Sequence, residues 1–172
     1  MRFLAVLFFA LLAFSSQSFA ASESRIGTVD LQRAVTESTE GAKARTDLLK
    51  KKDQLNEELQ VLFADLEKMR AELEKGTGKL SAEERTEKER LFQKKGRDYQ
   101  NRQREAQEEL KLIESDHLKK LVAKLGVILS KLGEEGKYSV ILDKNSGLFY
   151  AGSQTDVTAA LVKRANEEYQ KR

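Results

Sequence analysis

The chain has 172 residues, 34% of them charged, with a formal net charge of +3 and no Cys, Pro or Trp. Without Cys there is no disulfide, thiol catalysis or Cys-based zinc site, and the one histidine, His117, leaves no His-cluster metal centre. Zero Pro over this length points to long uninterrupted helices, because an interior Pro breaks a helix.

Residues 1–20 read as a secretory signal peptide. Met1-Arg2 supplies a positive charge, Phe3 to Phe14 is an apolar run of twelve, and Ser15 to Ala20 is polar and ends on small residues. Those are an n-region, an h-region and a cleavage site, with cleavage expected after Ala20. Twelve apolar residues are too few to cross about 30 Å of hydrocarbon. Loss of Arg2 leaves 30 basic against 28 acidic residues, a net charge of +2. The exported chain is therefore highly charged but nearly balanced, which argues against a nucleic-acid binder. A Cys-free exported chain with no second hydrophobic segment is expected in the periplasm.

The remainder divides into a body, residues 21–40 and 133–172, and an inserted helical arm, residues 41–132, turning near 76–80. Arg25 to Leu31 (RIGTVDL) reads as a short strand. From about Thr39 the pattern is helical. Gly76-Thr77-Gly78 interrupts it, and Ser81 stands three residues before Glu84, the capping-box spacing that starts a new helix. Gly133 and Gly136 are expected to end the returning helix. Tyr138 to Asp143 (YSVILD) reads as a second strand, with Gly147 to Tyr150 (GLFY) as its hairpin partner across a Lys144–Gly147 turn. Thr155-Asp156 is expected to cap a last helix carrying Val157, Ala160, Leu161, Ala165 and Tyr169 on one face.

The outgoing helix carries a heptad seam: Leu48, Leu55, Leu62 and Met69 interleave with Leu59, Leu66 and Leu73, broken only at Lys52. The returning helix places Phe92, Tyr99, Ala106, Leu110 and Ile113 on a matching face, then Leu118, Leu121, Val122, Leu125, Ile128, Leu129 and Leu132. Arms of 35 to 40 residues at about 1.5 Å per residue reach roughly 50 to 60 Å. Between Glu74 and Glu105 the large apolar residues are Leu80, Leu91, Phe92 and Tyr99 alone, so the distal core is thin and expected to be mobile. One N-terminal strand, two further short strands and one helix make a poor independent core, so the body is expected to be completed by further copies of the chain.

Charge concentrates at the far end. Lys75 to Arg104 holds ten basic residues, Lys75, Lys79, Arg85, Lys88, Arg90, Lys94, Lys95, Arg97, Arg102 and Arg104, against five acidic ones. A basic patch on a neutral shaft suits acidic partners and anionic surfaces.

Apparent catalytic motifs fail on spacing. Gly76-Thr77-Gly78-Lys79 lacks the first Gly and the Ser/Thr of a phosphate loop and follows a helix. Asp143-Lys144-Asn145-Ser146-Gly147 lacks the bidentate Glu of a calcium loop, which would fall at Gln154. Ser115-Asp116-His117 has the letters of a triad, but consecutive helical residues diverge by about 100°. The many carboxylate pairs are spaced as exposed ion-pair ladders. No catalytic residue, metal or cofactor is implied, and an enzyme is the least favoured class.

The ordered set of segments resembles the Skp/OmpH family of periplasmic chaperones. Ile26 to Ala34 looks like its opening strand and turn, and Glu40 to Lys43 like the entrance to its first arm. Leu80 to Arg85 is similar to the start of its returning arm. Tyr138 to Asp143 and Asp156 to Thr158 resemble its closing strand and helix start. The resemblance implies a mainly α protein with a small β body: a long antiparallel coiled-coil hairpin inserted into a short-stranded, oligomer-completed β core. It implies a homotrimer with arms around a cavity, acting without ATP as a holdase for unfolded outer-membrane β-barrel proteins. It also implies contact with lipopolysaccharide or anionic phospholipid in some members. On this reading the ten basic residues are candidates for client or anionic-surface binding. Ile26, Val29, Leu31, Val140, Leu142 and Leu148 are candidates for subunit contacts. The alternative is an exported coiled-coil structural or adaptor protein with one defined partner.

Overall fold

A computed structural model describes residues 24–76 and 80–171. The expected signal peptide, 1–20, and Lys79 lie outside these residues.

The short apolar run at the start forms strand β1, Arg25–Val29. Asp30 then caps a seven-residue helix, α1, Leu31–Glu37, its carboxylate accepting from the Arg33 amide at 2.8 Å. This helix was not anticipated, because its two turns are shorter than the window over which a helical pattern can be read. Ser38 ends α1 and caps the next helix, accepting from the Gly41 amide at 3.2 Å. That helix, α2, runs over Thr39–Lys75.

The chain turns after Gly76, where a Cβ would meet the Leu80 Cδ1 at 2.6 Å. Glycine lets the Leu80 side chain close over the turn, and a larger residue there would displace it. The expected capping box then starts α3, Ala82–Glu135: the Ser81 amide donates to Glu84 at 2.9 Å and the Glu84 amide to Ser81 Oγ at 3.2 Å. Gly133 lies inside α3, and Gly136 is its C-terminal cap. Lys137, at φ 50°, turns the chain into strand β2, Tyr138–Asp143. A short 3₁₀ turn at Ser153–Thr155 precedes the last helix, α4, Thr158–Gln170. Asp156 assists its start from two residues upstream, accepting from the Thr158 amide at 2.8 Å.

The sheet corrects one expectation. Gly147 to Tyr150 forms no strand; β2 instead pairs in parallel with β1, Ile26 opposite Val140 and Thr28 opposite Leu142. The physical reason is the arm itself. An antiparallel helical hairpin returns the chain to its starting point, and leaving α3 at Lys137 sends β2 in the same direction as β1. Thr28 also bridges to Asp156, and its carbonyl accepts from the Val157 amide at 2.8 Å. At that point β1 has partners on both edges.

The body buries one cluster: Val29, Ala34, Leu121, Leu125, Ile128, Val157 and Leu161, with Ile141, Leu132 and Val35 packed against it. The core thus joins both strands, α1, α4 and about the last four turns of α3. The anticipated seam runs outward from it. Leu48, Leu59, Leu62, Leu66, Met69 and Leu73 are partly buried, and Leu55 is fully so, while Lys52 is exposed.

Candidate functional site

Two surfaces stand out, one along the arm and one on the body.

The arm is held in register by charged side chains flanking its seam. Lys51 meets Glu109 at 2.6 Å and Lys88 meets Glu72 at 2.9 Å. Arg102 grips Glu58 with two hydrogen bonds of 2.7 and 2.6 Å. In each pair the two residue numbers add to 160, so the helices run antiparallel without slippage about a turn near residue 80. Arg102 also lies 3.9 Å from Glu105 and 3.8 Å from Glu109, which makes it the hub of this network. Hydrogen bonds from Arg102 hold the Glu58 carboxyl below its ordinary range, and Lys88 does the same for Glu72. These pairs therefore persist into mild acid. Leu55 and Ala106 are fully buried beside the hub. Beyond it the seam residues are only partly buried, as the thin distal composition led us to expect.

Of the ten basic candidates, five are engaged. Arg85 pairs with Glu89, Lys88 with Glu72, Arg90 with Glu87 and Arg102 with Glu58, and Arg104 donates to Asn101 at 2.6 Å. Lys79 lies outside the described residues. Lys75, Lys94, Lys95 and Arg97 form no ion pair among the described residues. Among the described residues, ion pairing therefore leaves uncompensated charge on Lys75, Lys94, Lys95, Arg97 and Arg104, three of which lie within two positions of Gly96.

Large apolar side chains also lie open along the arm: Leu49, Val61, Phe63, Leu91, Leu112, Leu118, Val122 and Val127. Sequence reading placed Leu118 and Val122 inside. The α3 face that contacts α2 and the body is too narrow to take every apolar residue there, and Leu121 and Leu125 occupy it. Near the body an open groove of about 410 Å³ is lined by Leu48, Leu49, Leu118 and His117 among others. His117 is partly buried there, while Asp116 turns to Lys120 at 2.7 Å, so the triad-like letters diverge as expected.

On the body, the six proposed contact residues separate into two sets. Ile26 is 50% exposed, and Val140 and Leu142 are each 41% exposed. The β1–β2 register places them on one face of the sheet. Leu148 is partly buried nearby in sequence. Val29 is 1% exposed and belongs to the protomer's own core, and Leu31 packs against that core. Alternation explains this: Val29 lies on the opposite strand face from Ile26, and the residue after Asp30 already belongs to α1. Phe149 and Tyr150, expected to sit in a hairpin, are instead the most exposed large apolar side chains described.

The body is locked by a polar cluster. Lys144 reaches Asp156 at 2.8 Å, Arg33 approaches it at 3.7 Å, and Asn145 donates to Asp30 at 3.2 Å. Burial pushes the Asp156 carboxyl up, but Lys144 and the Thr158 hydroxyl and amide outweigh burial and hold it well below the carboxylate range. At the base of the arm, Lys124 pairs with Glu40 and Arg164 with Glu135. No group of three or more metal-ligating side chains occurs among the described residues. No helix among them is long and apolar enough to cross a membrane.

Geometry of this kind defines a class: a helical-hairpin protein on a small mixed body, carrying open apolar and cationic surfaces. The family model described as outer membrane protein (OmpH-like) matches residues 25–164, and the chain belongs to that family. Among solved structures it is similar to "a putative outer membrane chaperone (OmpH-like) from Caulobacter crescentus CB15". The TM-score is 0.79 at 21% identity, over 84% of this chain and 85% of that one. A likeness at that identity is one of fold. No curated protein matches the chain.

Proposed function

We propose that the chain is an exported, periplasmic chaperone that holds unfolded outer-membrane β-barrel proteins without nucleotide and prevents their aggregation in transit. The observation that carries this reading is the arm: a long hairpin with open apolar side chains along its shaft and unpaired cations toward its tip. Many weak contacts spread over a mobile wall can hold an unfolded chain without one strong site. Family membership supports the chaperone role.

Three copies would join through the outer sheet face. Ile26, Val140 and Leu142 offer an apolar patch, Leu148, Phe149 and Tyr150 follow β2 in the chain with both aromatics exposed, and no strand among the described residues pairs with the outer edge of β2. An exposed strand edge beside apolar side chains is a template for another chain. The arms would then hang around a common cavity. Lys75, Lys79, Lys94, Lys95 and Arg97 would meet acidic clients and the phosphates of lipopolysaccharide or anionic phospholipid surfaces.

The test is native mass spectrometry of residues 21–172 with a urea-diluted outer-membrane barrel, in parallel with light scattering of the barrel alone. A complex of three chains to one barrel with suppressed scattering is the expected result. A stable oligomer that ignores the unfolded barrel would refute the proposal and favour a coiled-coil adaptor with one folded partner.

A further inference from the structure

The ion pairs that cross the arm keep heptad spacing, with one omission. Lys51, Glu58 and Glu72 on α2 meet Glu109, Arg102 and Lys88 on α3. The same spacing sets Asp65 opposite Lys95, between the second pair and the third. Their charges are opposite and both side chains are exposed, yet they form no ion pair among the described residues. In each closed rung the acid is Glu, and Asp is one methylene shorter. The core thins at the same height. Gly96 follows Lys95 and stands two heptads from Leu110 on the same face of α3. Nothing lies within 4 Å of the position its Cβ would take. An open groove of about 530 Å³ remains among Phe63, Leu66, Phe92 and Tyr99. Glycine inside a helix also leaves the backbone less restrained than any other residue would.

On either side of this height the arm is held. Toward the body, Lys51–Glu109 and the Arg102 hub flank the buried Leu55 and Ala106. Toward the turn, Lys88 crosses to Glu72 at 2.9 Å, Arg70 holds Glu74 at 3.1 Å, Arg85 holds Glu89 at 2.8 Å, and the Ser81–Glu84 capping box closes the end. Fraying loosens a hairpin steadily toward its tip; here the gap lies between two held segments. We propose that the arm is two stiff segments joined by a hinge at the open Asp65–Lys95 rung and Gly96. The segment beyond it, from about Met69 to Leu91, swings as a unit. The missing rung removes a cross-link and Gly96 supplies the backbone freedom, so the helices bend there rather than melt from the tip. The hinge is a property of the hairpin alone and does not depend on the chaperone role.

The experiment is amide hydrogen exchange of residues 21–172, read by mass spectrometry with no client present. Exchange over 92–99 is expected to be faster than in the α3 segments on both sides. Asp65→Glu completes the rung, and Gly96→Ala restrains the helix at a position with room for the methyl group. Together they should slow exchange over 92–99 about tenfold, about fivefold from replacing an interior helix glycine and about twofold from one exposed ion pair. Gly126→Ala, at another α3 glycine whose Cβ position is empty, should leave 92–99 unchanged. In a Lys95→Gln background the share due to Asp65→Glu should vanish. Exchange that rises steadily from the hub to the turn would overturn the proposal, because it is the mark of fraying. So would Asp65→Glu without effect, or an Asp65→Glu effect that survives Lys95→Gln.

Discussion

Leu118 and Leu125 lie two turns apart on the same helix and share one side-chain chemistry, but their surroundings differ. Leu125 is 0% exposed at the centre of the body's core, and Leu118 is 50% exposed. Leu→Ala removes three carbons, about 2.4 kcal/mol of transfer free energy when fully buried, at roughly 0.8 kcal/mol per methylene. The cavity left among Val29, Ile128 and Leu161 adds to this, giving an expected cost of about 3–4 kcal/mol for Leu125→Ala. Half-exposed Leu118 loses about half the transfer free energy and leaves no cavity, so Leu118→Ala should cost about 1 kcal/mol. The assay is urea unfolding followed by circular dichroism, at one fixed protomer concentration because association would add to stability. A difference of at least about 2 kcal/mol is expected, roughly thirtyfold in the folding equilibrium. Costs within about 0.5 kcal/mol of each other would mean that the body's core does not govern the fold, or that Leu118 is buried in the assembled protein.

Ile26→Asp should lower the oligomer mass seen by light scattering while leaving the helical signal intact, since the side chain is half exposed in the protomer; an unchanged mass counts against the sheet-face contact. Asp156→Asn should reduce stability at neutral pH. Because folding lowers the Asp156 pKa, its contribution is complete above the unfolded value near 3.9 and is lost as pH falls toward the folded one. The gap in melting temperature between Asp156→Asn and the unsubstituted chain should therefore narrow from pH 5 to pH 2, and a constant gap would refute the assignment. Arg102→Gln should lower global stability only slightly, because a solvent-accessible ion-pair hub is screened by water. Its signature is faster hydrogen exchange beyond Leu55 with an unchanged body; a uniform rise along the chain would contradict a local hub.

The arm was legible because its signals are periodic and local. A seven-residue repeat, Gly at the turn and Ser81 with Glu84 place both helices within a few residues of their observed ends. The body was harder. Strand pairing between Ile26 and Val140 joins residues more than a hundred positions apart, and nothing local distinguishes it from a hairpin of Tyr138–Asp143 with Gly147–Tyr150. The turn residues Lys144 to Gly147 favoured the wrong partner, because they do form a turn, but one that leads away from the sheet. Helix α1 hid because two turns are too few repeats to establish a pattern. Net charge located the tip, yet only the folded register showed which cations are already paired across to Glu58 and Glu72. The distal arm was in view only as a thin core; that Phe63 of one helix meets Tyr99 of the other emerged only from the folded register.

The parallel pairing of β1 and β2 also dictates an order of folding. In a disordered chain, joining Ile26 to Val140 closes a loop of more than a hundred residues, an entropy cost of about 4 kcal/mol. Two strands of five and six residues cannot meet that cost unaided. Once α2 and α3 have zipped from the turn, the same closure spans only the few residues between helix and strand. The hairpin, whose contacts nearest the turn are local, therefore forms first and delivers both strands to one place. Synthesis runs from the amino terminus, so β1 must wait until all of α3 has emerged before its partner exists. Until then its apolar face stays exposed, and the finished hairpin is what ends that exposure.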